Sequence, residues 1–283
     1  SPKASAASKA GTGGAAKLLA NMERWRYVPD DMGRLHVWVN VPEFMFRVVK
    51  DGQVIHAERI VAGKADTQTA IFSASMQEVI FNPNWNVPLS IKVKEIQPHL
   101  SRSPAILQKQ GLRIKVGNRD IDPGSVDWAG ADMRNFHFYQ PPGGGNVLGV
   151  VKFAFPNKHD IYMHDTPSKS LFNSEVRTFS HGCMRVRDPR KFAEILLKED
   201  KGWEAGRIAQ LIGGAEENRI GLSKKIPVHV TYFTALADES GKVSYRNDIY
   251  GHDQRISDAL SGKPIQLIAQ SDPALIHARS VQE

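Results

Sequence analysis

The chain has 283 residues, 41% of them hydrophobic and 24% charged, enough for one large domain or two modest ones with a true core. Those proportions exclude a fully disordered or fibrous chain. Lys and Arg number 37 against 30 Asp and Glu, a net of +7 that suits a polyanionic partner. No zinc finger, arginine-glycine tract or aromatic-basic signature directs that charge to nucleic acid.

No stretch approaches the roughly 20 apolar residues that a membrane-spanning helix needs. The first residue is Ser1 and no signal-peptide pattern follows, which reads as a processed or trimmed form. One cysteine, Cys183, rules out an intrachain disulfide.

Residues 1–16 are small, polar and Gly-rich, and read as a flexible leader. An opening helix is expected within 17–33, over Asn21, Met22, Trp25 and Arg26, ending before Pro29. From Leu35 the run LHVWVNVPEFMFRVV alternates apolar and polar residues, turns at Lys50-Asp51-Gly52, and continues in QVIHAERIVAG. Asp-Gly between two such runs signals a β-hairpin. Further strands are expected at Ile71–Ser73, Val79–Phe81, Val147–Phe155, Asp160–Met163 and Pro227–Thr234.

Residues 88–145 interrupt this β pattern. They hold an expected helix near Ser90–Leu100, the run GLRIKV and a turn-rich aromatic segment, and close on the hinge-like Pro141-Pro142-Gly143-Gly144-Gly145. An insertion of this length is read as a lid or binding loop, a separate small domain being the plainer reading. Two helices follow. One starts at Asp188-Pro189, a cap residue before a first-turn proline; the other runs from near Trp203 to Gly213-Gly214. The β domain therefore divides into 34–87 and 146–253, with a short helix and tail over 254–283.

The reactive side chains concentrate in DIYMHDTPSKSLFNSEVRTFSHGCMRVRDP. Cysteine attacks as the thiolate, and its free pKa near 8.5 leaves little of it at neutral pH. A histidine in hydrogen-bond reach takes the proton and holds the pair as thiolate and imidazolium. Gly182 permits tight backbone approach, and successive N–H groups in such a turn form an oxyanion hole. If Met184-Arg185-Val186 is extended, Arg185 shares a face with Cys183 and can meet a substrate carboxylate. Plainer roles stand beside these: Ser180 as a turn residue, Arg185 as a surface ion-pair partner, and His181 as a loop holder bonded to backbone, the role preferred for it. A zinc site of His164, His181 and Cys183 lacks a fourth ligand at recognisable spacing.

His164, fifteen residues and then Ser180-His181-Gly182-Cys183 resemble the signature of the L,D-transpeptidase catalytic domain (YkuD-type). The resemblance spans most of residues 21–252. NMERWRYVP and IPVHVTYFTALADESGKVSYRNDIYGHD resemble the opening helix and closing extension of the long-lid, YcbB-like branch. VAGKADTQT resembles the family's early strand-turn segment, and FNPNWNVP the approach to its lid. Two positions depart from the usual pattern: Asp165 follows His164 where Gly is frequent, and Ala70 stands where Pro is common. Many lidded members also carry an N-terminal scaffold and a wall-binding module, so the chain reads as a trimmed catalytic core or a minimal member.

The resemblance implies a mostly β, α+β fold: a β-sandwich catalytic domain with peripheral helices and an inserted lid. It implies that Cys183 attacks the carbonyl between the diamino acid at position 3 of a peptidoglycan stem and D-Ala at position 4. His164 acts as base, oriented by the carbonyl of Asp165, and His181 and Gly182 complete the catalytic set. D-Ala leaves, and an amine resolves the thioester in a 3→3 cross-link; the acceptor is a stem peptide, an outer-membrane lipoprotein or another amine. Ser180, Arg185, Tyr162, Trp85 and Asn86 are the candidate substrate-binding residues. No cofactor or metal is implied; carbapenems are the expected inhibitors and the periplasm the expected location. The alternatives are a hydrolase on the same scaffold and a non-catalytic wall-binding module.

Overall fold

The computed structural model describes residues 13–100 and 102–264. The hairpin forms where Asp-Gly predicts it. Met45–Lys50 and Gln53–Gly63 join at Asp51 and Gly52, both at positive φ, the turn geometry that matches strand twist. Leu35–Asn40 pairs with Met45–Lys50 on one side and runs parallel to Asn218–Thr231 on the other. The ladder continues through Phe72–Phe81, Val151–Ala154, Met163–His164 and Met184–Val186.

Gln53–Gly63 then closes it. Its first half pairs with Met45–Lys50, its end with Met184–Val186 and Thr178–Ser180. The two faces of the expected sandwich are thus parts of one nine-stranded sheet wrapped around a single core. Helix Pro189–Lys201 seals that core. Asp188 caps it through Lys191 N at 3.0 Å, and Phe192 packs on Phe46 and Phe153 at ring distances of 4.6 and 4.3 Å.

Several boundaries differ from expectation for local reasons. The first helix spans Gly13–Trp25, so residues 13–16 belong to it and not to the leader; residues 1–12 lie outside the described residues. Ala15 and Ala16 favour helix, and Asn21 and Arg24 dock it on Thr234 (2.8 Å) and Asp253 (2.6 Å). The runs at 71–73 and 79–81 merge in the strand Phe72–Phe81. The strand expected from Asp160 starts at Met163, because Asp160 adopts φ 52 and breaks the extended run. The last helix begins at His252, two residues early; residues 265–283 lie outside the described residues.

The insertion builds its own core around Leu100, Ile114, Trp128 and Phe138. Its small sheet orders Trp85–Asn86, His137–Gln140, Arg113–Val116 and Arg119–Asp120. The expected helix covers Leu89–Leu100, with a widened five-residue turn at Lys92–Ile96. Its roots are fastened: buried Asn146 donates to the carbonyls of Pro83, Gln140 and Pro141 at 2.9–3.2 Å. The hinge-like Pro-Gly run is therefore pinned at its far end. No helix among the described residues is long and apolar enough to cross a membrane.

Candidate active site

Cys183 ends the turn between strands Thr178–Ser180 and Met184–Val186. Gly182 sits there at φ 111, where a side chain is strained. The hydroxyl of buried Ser180 donates to Cys183 O at 2.5 Å and accepts from Gly182 N at 3.2 Å. Thr69 Oγ1 donates to Gly182 O at 2.8 Å and accepts from Gly63 N at 2.9 Å, while the Tyr250 hydroxyl donates to Gly63 O at 2.6 Å. The turn is held from below.

Two expectations are corrected here. Gly182 N–H is spent on Ser180 and Met184 N–H on the Tyr162 carbonyl, so neither serves an oxyanion. Ser180 lines the cleft, but its hydroxyl is occupied on both sides and braces the turn.

The alternation of the strands selects the reactive face. Met163 and Met184 are fully buried toward the core, so Tyr162, His164, Cys183 and Arg185 face the other way. His164 is in register with Arg185 on one neighbouring strand and with Lys152 on the other. Lys152 Nζ lies 4.1 Å from the Tyr162 ring centroid, and the Tyr162 and His164 rings are 5.5 Å apart. His164 Nδ1 donates to the Asp165 carbonyl, which leaves Nε2 as the acceptor of a neutral ring.

Asp165 also explains its own presence where Gly is frequent. Its carboxylate accepts Val150 N–H at 3.0 Å and pairs with Lys169 at 2.5 Å. Gly149 makes the room: a Cβ there would lie 2.2 Å from Asp165 Oδ2.

The electrostatics differ from the expected ion pair. Burial, helped by Arg185, Lys152 and Lys169, lowers His164 to about 3. Although part of Cys183 stays accessible, the walls of the cleft shed water from the sulfur and push the thiol up to about 11. The Tyr162 N–H and hydroxyl and the Lys152 ammonium pull the other way. Both shifts run toward a neutral thiol and a neutral imidazole, away from thiolate and imidazolium.

These side chains floor a cleft of about 1280 Å³, lined opposite by Trp85 and Asn86 just before the insertion and by Leu89, Phe136 and His137 within it. The Tyr162 hydroxyl lies between the Trp85 indole and the Cys183 sulfur, in polar contact with both. Trp85, Asn86, Tyr162 and Arg185 all line this cleft. Among the described residues His181 makes no side-chain bond to backbone; its Nε2 meets Glu95 Oε1 of the insertion at 2.7 Å. Among the described residues, no three His, Cys, Asp or Glu side chains converge to hold a metal. A separate hollow of about 650 Å³ behind the insertion reaches none of the reactive side chains.

The family model of the L,D-transpeptidase catalytic domain matches residues 34–208, more than half of the chain. The chain belongs to the L,D-transpeptidase catalytic-domain family. A Haemophilus influenzae relative, provisionally named an L,D-transpeptidase, is 31% identical over 242 residues, covering 85% of this chain and 49% of that protein. The chain thus spans about half the length of that curated relative. Solved L,D-transpeptidases resemble it loosely. L,D-transpeptidase 3 of Mycobacterium tuberculosis, in complex with a faropenem-derived adduct, is 13% identical over 70% of this chain and 60% of its own, with a TM-score of 0.32. The catalytic domain from the E. faecium L,D-transpeptidase is 13% identical over 72% of this chain and all of its own, with a TM-score of 0.30.

Within this L,D-transpeptidase domain, sequence reasoning overlooked Thr69, Tyr250, Lys152 and Glu95. Thr69 lies inside the quoted strand-turn segment and Tyr250 in the closing extension, yet a clamping hydroxyl and a turn hydroxyl read alike. Lys152 alternates with Val151 and Phe153, which marks it as facing away from the core, the one signal that was available.

Proposed function

We propose that this domain is a peptidoglycan acyltransferase, working in the bacterial periplasm, that uses Cys183 as nucleophile and His164 as base. The observation that carries the reading is their placement: His164 ends one strand, Cys183 immediately precedes its parallel neighbour, and both line one cleft, with His164 Nε2 kept as an acceptor. Cys183 sulfur attacks the carbonyl between the diamino acid at position 3 and D-Ala at position 4, and its proton passes to His164 Nε2. The Cys183 N–H, which has no protein partner among the described residues, is the donor placed to meet the oxyanion.

Collapse breaks the amide C–N bond, the imidazolium returns its proton to the departing D-Ala amine, and a thioester remains. An acceptor amine then attacks, loses a proton to His164, and the thiolate leaves and is reprotonated. A second stem gives a 3→3 cross-link; an outer-membrane lipoprotein amine uses the same step. The insertion excludes water from the thioester, which favours transfer over hydrolysis. Carbapenems, strained acyl donors, are expected to acylate the same sulfur.

The test is product analysis on a tetrapeptide muropeptide. The reading expects D-Ala release and a 3→3 dimer, both lost in Cys183→Ala. Tripeptide without dimer, even with added amine, would assign the domain to hydrolysis; no D-Ala release at all would overturn the reading.

A further inference from the structure

Lys152 and Arg185 flank His164 on the cleft floor, one from each neighbouring strand. Neither forms an ion pair among the described residues. Arg185 Nε is buried without a hydrogen-bond partner, and Lys152 rests on the Tyr162 ring. The acidic groups in the field of Lys152, Glu78 and Glu217, are held by Arg219 at 2.6 and 3.6 Å. Of the other cations that line the cleft, Lys92 meets the carbonyls of Met133 and Phe136 and Arg134 pairs with Asp132, while Lys115 rests on the Tyr139 ring and is not in register with His164. Two partly buried charges of one sign without a counter-charge are costly, and an anion between them removes the cost.

We propose that Lys152 and Arg185 form a carboxylate-binding site, and that a substrate carboxylate seated there makes His164 a competent base by neutralising the cations beside it. The identity of that substrate rests on the function proposed above, whose peptide carries two carboxylates near the scissile bond. One is on the side chain of the diamino acid and one on the terminal D-Ala. While the site is empty, both cations oppose protonation of His164, the acceptor of the Cys183 proton. A bound carboxylate cancels that field where the imidazolium must form. Recognition and activation become one event, and a peptide without the carboxylate gains neither.

The first test needs no peptidoglycan. Iodoacetate and iodoacetamide alkylate the same sulfur and differ by a carboxylate against a carboxamide. The iodoacetate-to-iodoacetamide rate ratio of the wild type should fall about tenfold in Lys152→Gln and in Arg185→Gln, the scale of one charge-assisted hydrogen bond. Lys152→Arg should keep it. An unchanged ratio in both Gln variants, with unfolding midpoints like the wild type, overturns the site.

The second test uses the wild type alone, with three tetrapeptides: both carboxylates free, the D-Ala carboxylate amidated, or the diamino acid carboxylate amidated. The amide that removes the seated carboxylate should lower kcat as well as raise KM, which names its source. Equal turnover of all three overturns the proposal. If the iodoacetate preference holds while no peptide is turned over, the carboxylate site stands and the proposed substrate fails.

Discussion

His181 Nε2 lies 2.7 Å from Glu95 Oε1, so the turn that carries Cys183 is tied across the cleft to the insertion. Both side chains are solvent-accessible, and an exposed pair of this kind contributes less than about 1 kcal/mol to global stability. Its effect should be local. Glu95→Gln is expected to leave the unfolding midpoint nearly unchanged while amides of residues 89–100 exchange faster with solvent. Identical exchange in the variant would show that the contact does not hold the lid.

The neutral resting dyad makes a kinetic prediction. With Cys183 at about 11 and His164 at about 3, the thiolate fraction of the free protein grows through the whole alkaline range. Iodoacetamide alkylation of Cys183 should therefore climb roughly tenfold per pH unit between pH 7 and 10. A rate already flat at pH 7 would reveal a preformed thiolate–imidazolium pair instead.

The same histidine, with His252, sets an acid limit on stability. Burial lowers His164 to about 3 and His252 to about 4, from an ordinary value of 6.5. As pH falls below 6.5 the unfolded chain binds protons that the folded chain refuses, so stability present above that pH is lost toward pH 4 and 3. The urea midpoint should drop between pH 7.5 and pH 5, and less steeply in His164→Gln. Equal midpoints at the two pH values would contradict the assignment.

Thr69 is predicted to matter for the site although it touches no substrate. Its hydroxyl joins Gly63 N–H to the Gly182 carbonyl in the buried base of the turn. Thr69→Val keeps the shape and removes both bonds, costing about 1–3 kcal/mol. Acylation of Cys183 should slow beyond what the population of folded protein explains. A stable variant with wild-type acylation would show that the turn needs no brace.

The insertion can be removed cleanly, because Asn86 and Tyr139 face each other across one ladder. A short turn joining them should raise hydrolysis relative to transfer several-fold on a folded domain, since water then reaches the thioester. An unchanged ratio, measured as tripeptide against dimer, would sink the shielding role.

The strand pattern was legible wherever one face is buried: Val37 and Val39, or Val151 and Phe153, announce their own alternation. The hairpin at Asp51-Gly52 and the cap at Asp188 were legible from turn and cap chemistry. The spacing from His164 to Cys183 located the dyad through its resemblance to the family signature; that the two lie at the ends of parallel neighbouring strands only the structure shows. Ring closure through Gln53–Gly63 was not legible, since one strand pairing differently at its two ends leaves no local mark. The His181–Glu95 contact and the Thr69 clamp were hidden for the same reason: each joins residues far apart in sequence whose side chains are ordinary alone. The charge state of the dyad follows from burial first and then from Lys152 and Arg185 converging on His164, which only the fold and its register reveal.

The most direct test of the account is intact mass after incubation with a carbapenem, beside Cys183→Ala. The account predicts one covalent adduct per chain, absent from the variant. A folded wild-type protein that stays unmodified would contradict Cys183 as an acyl-accepting nucleophile.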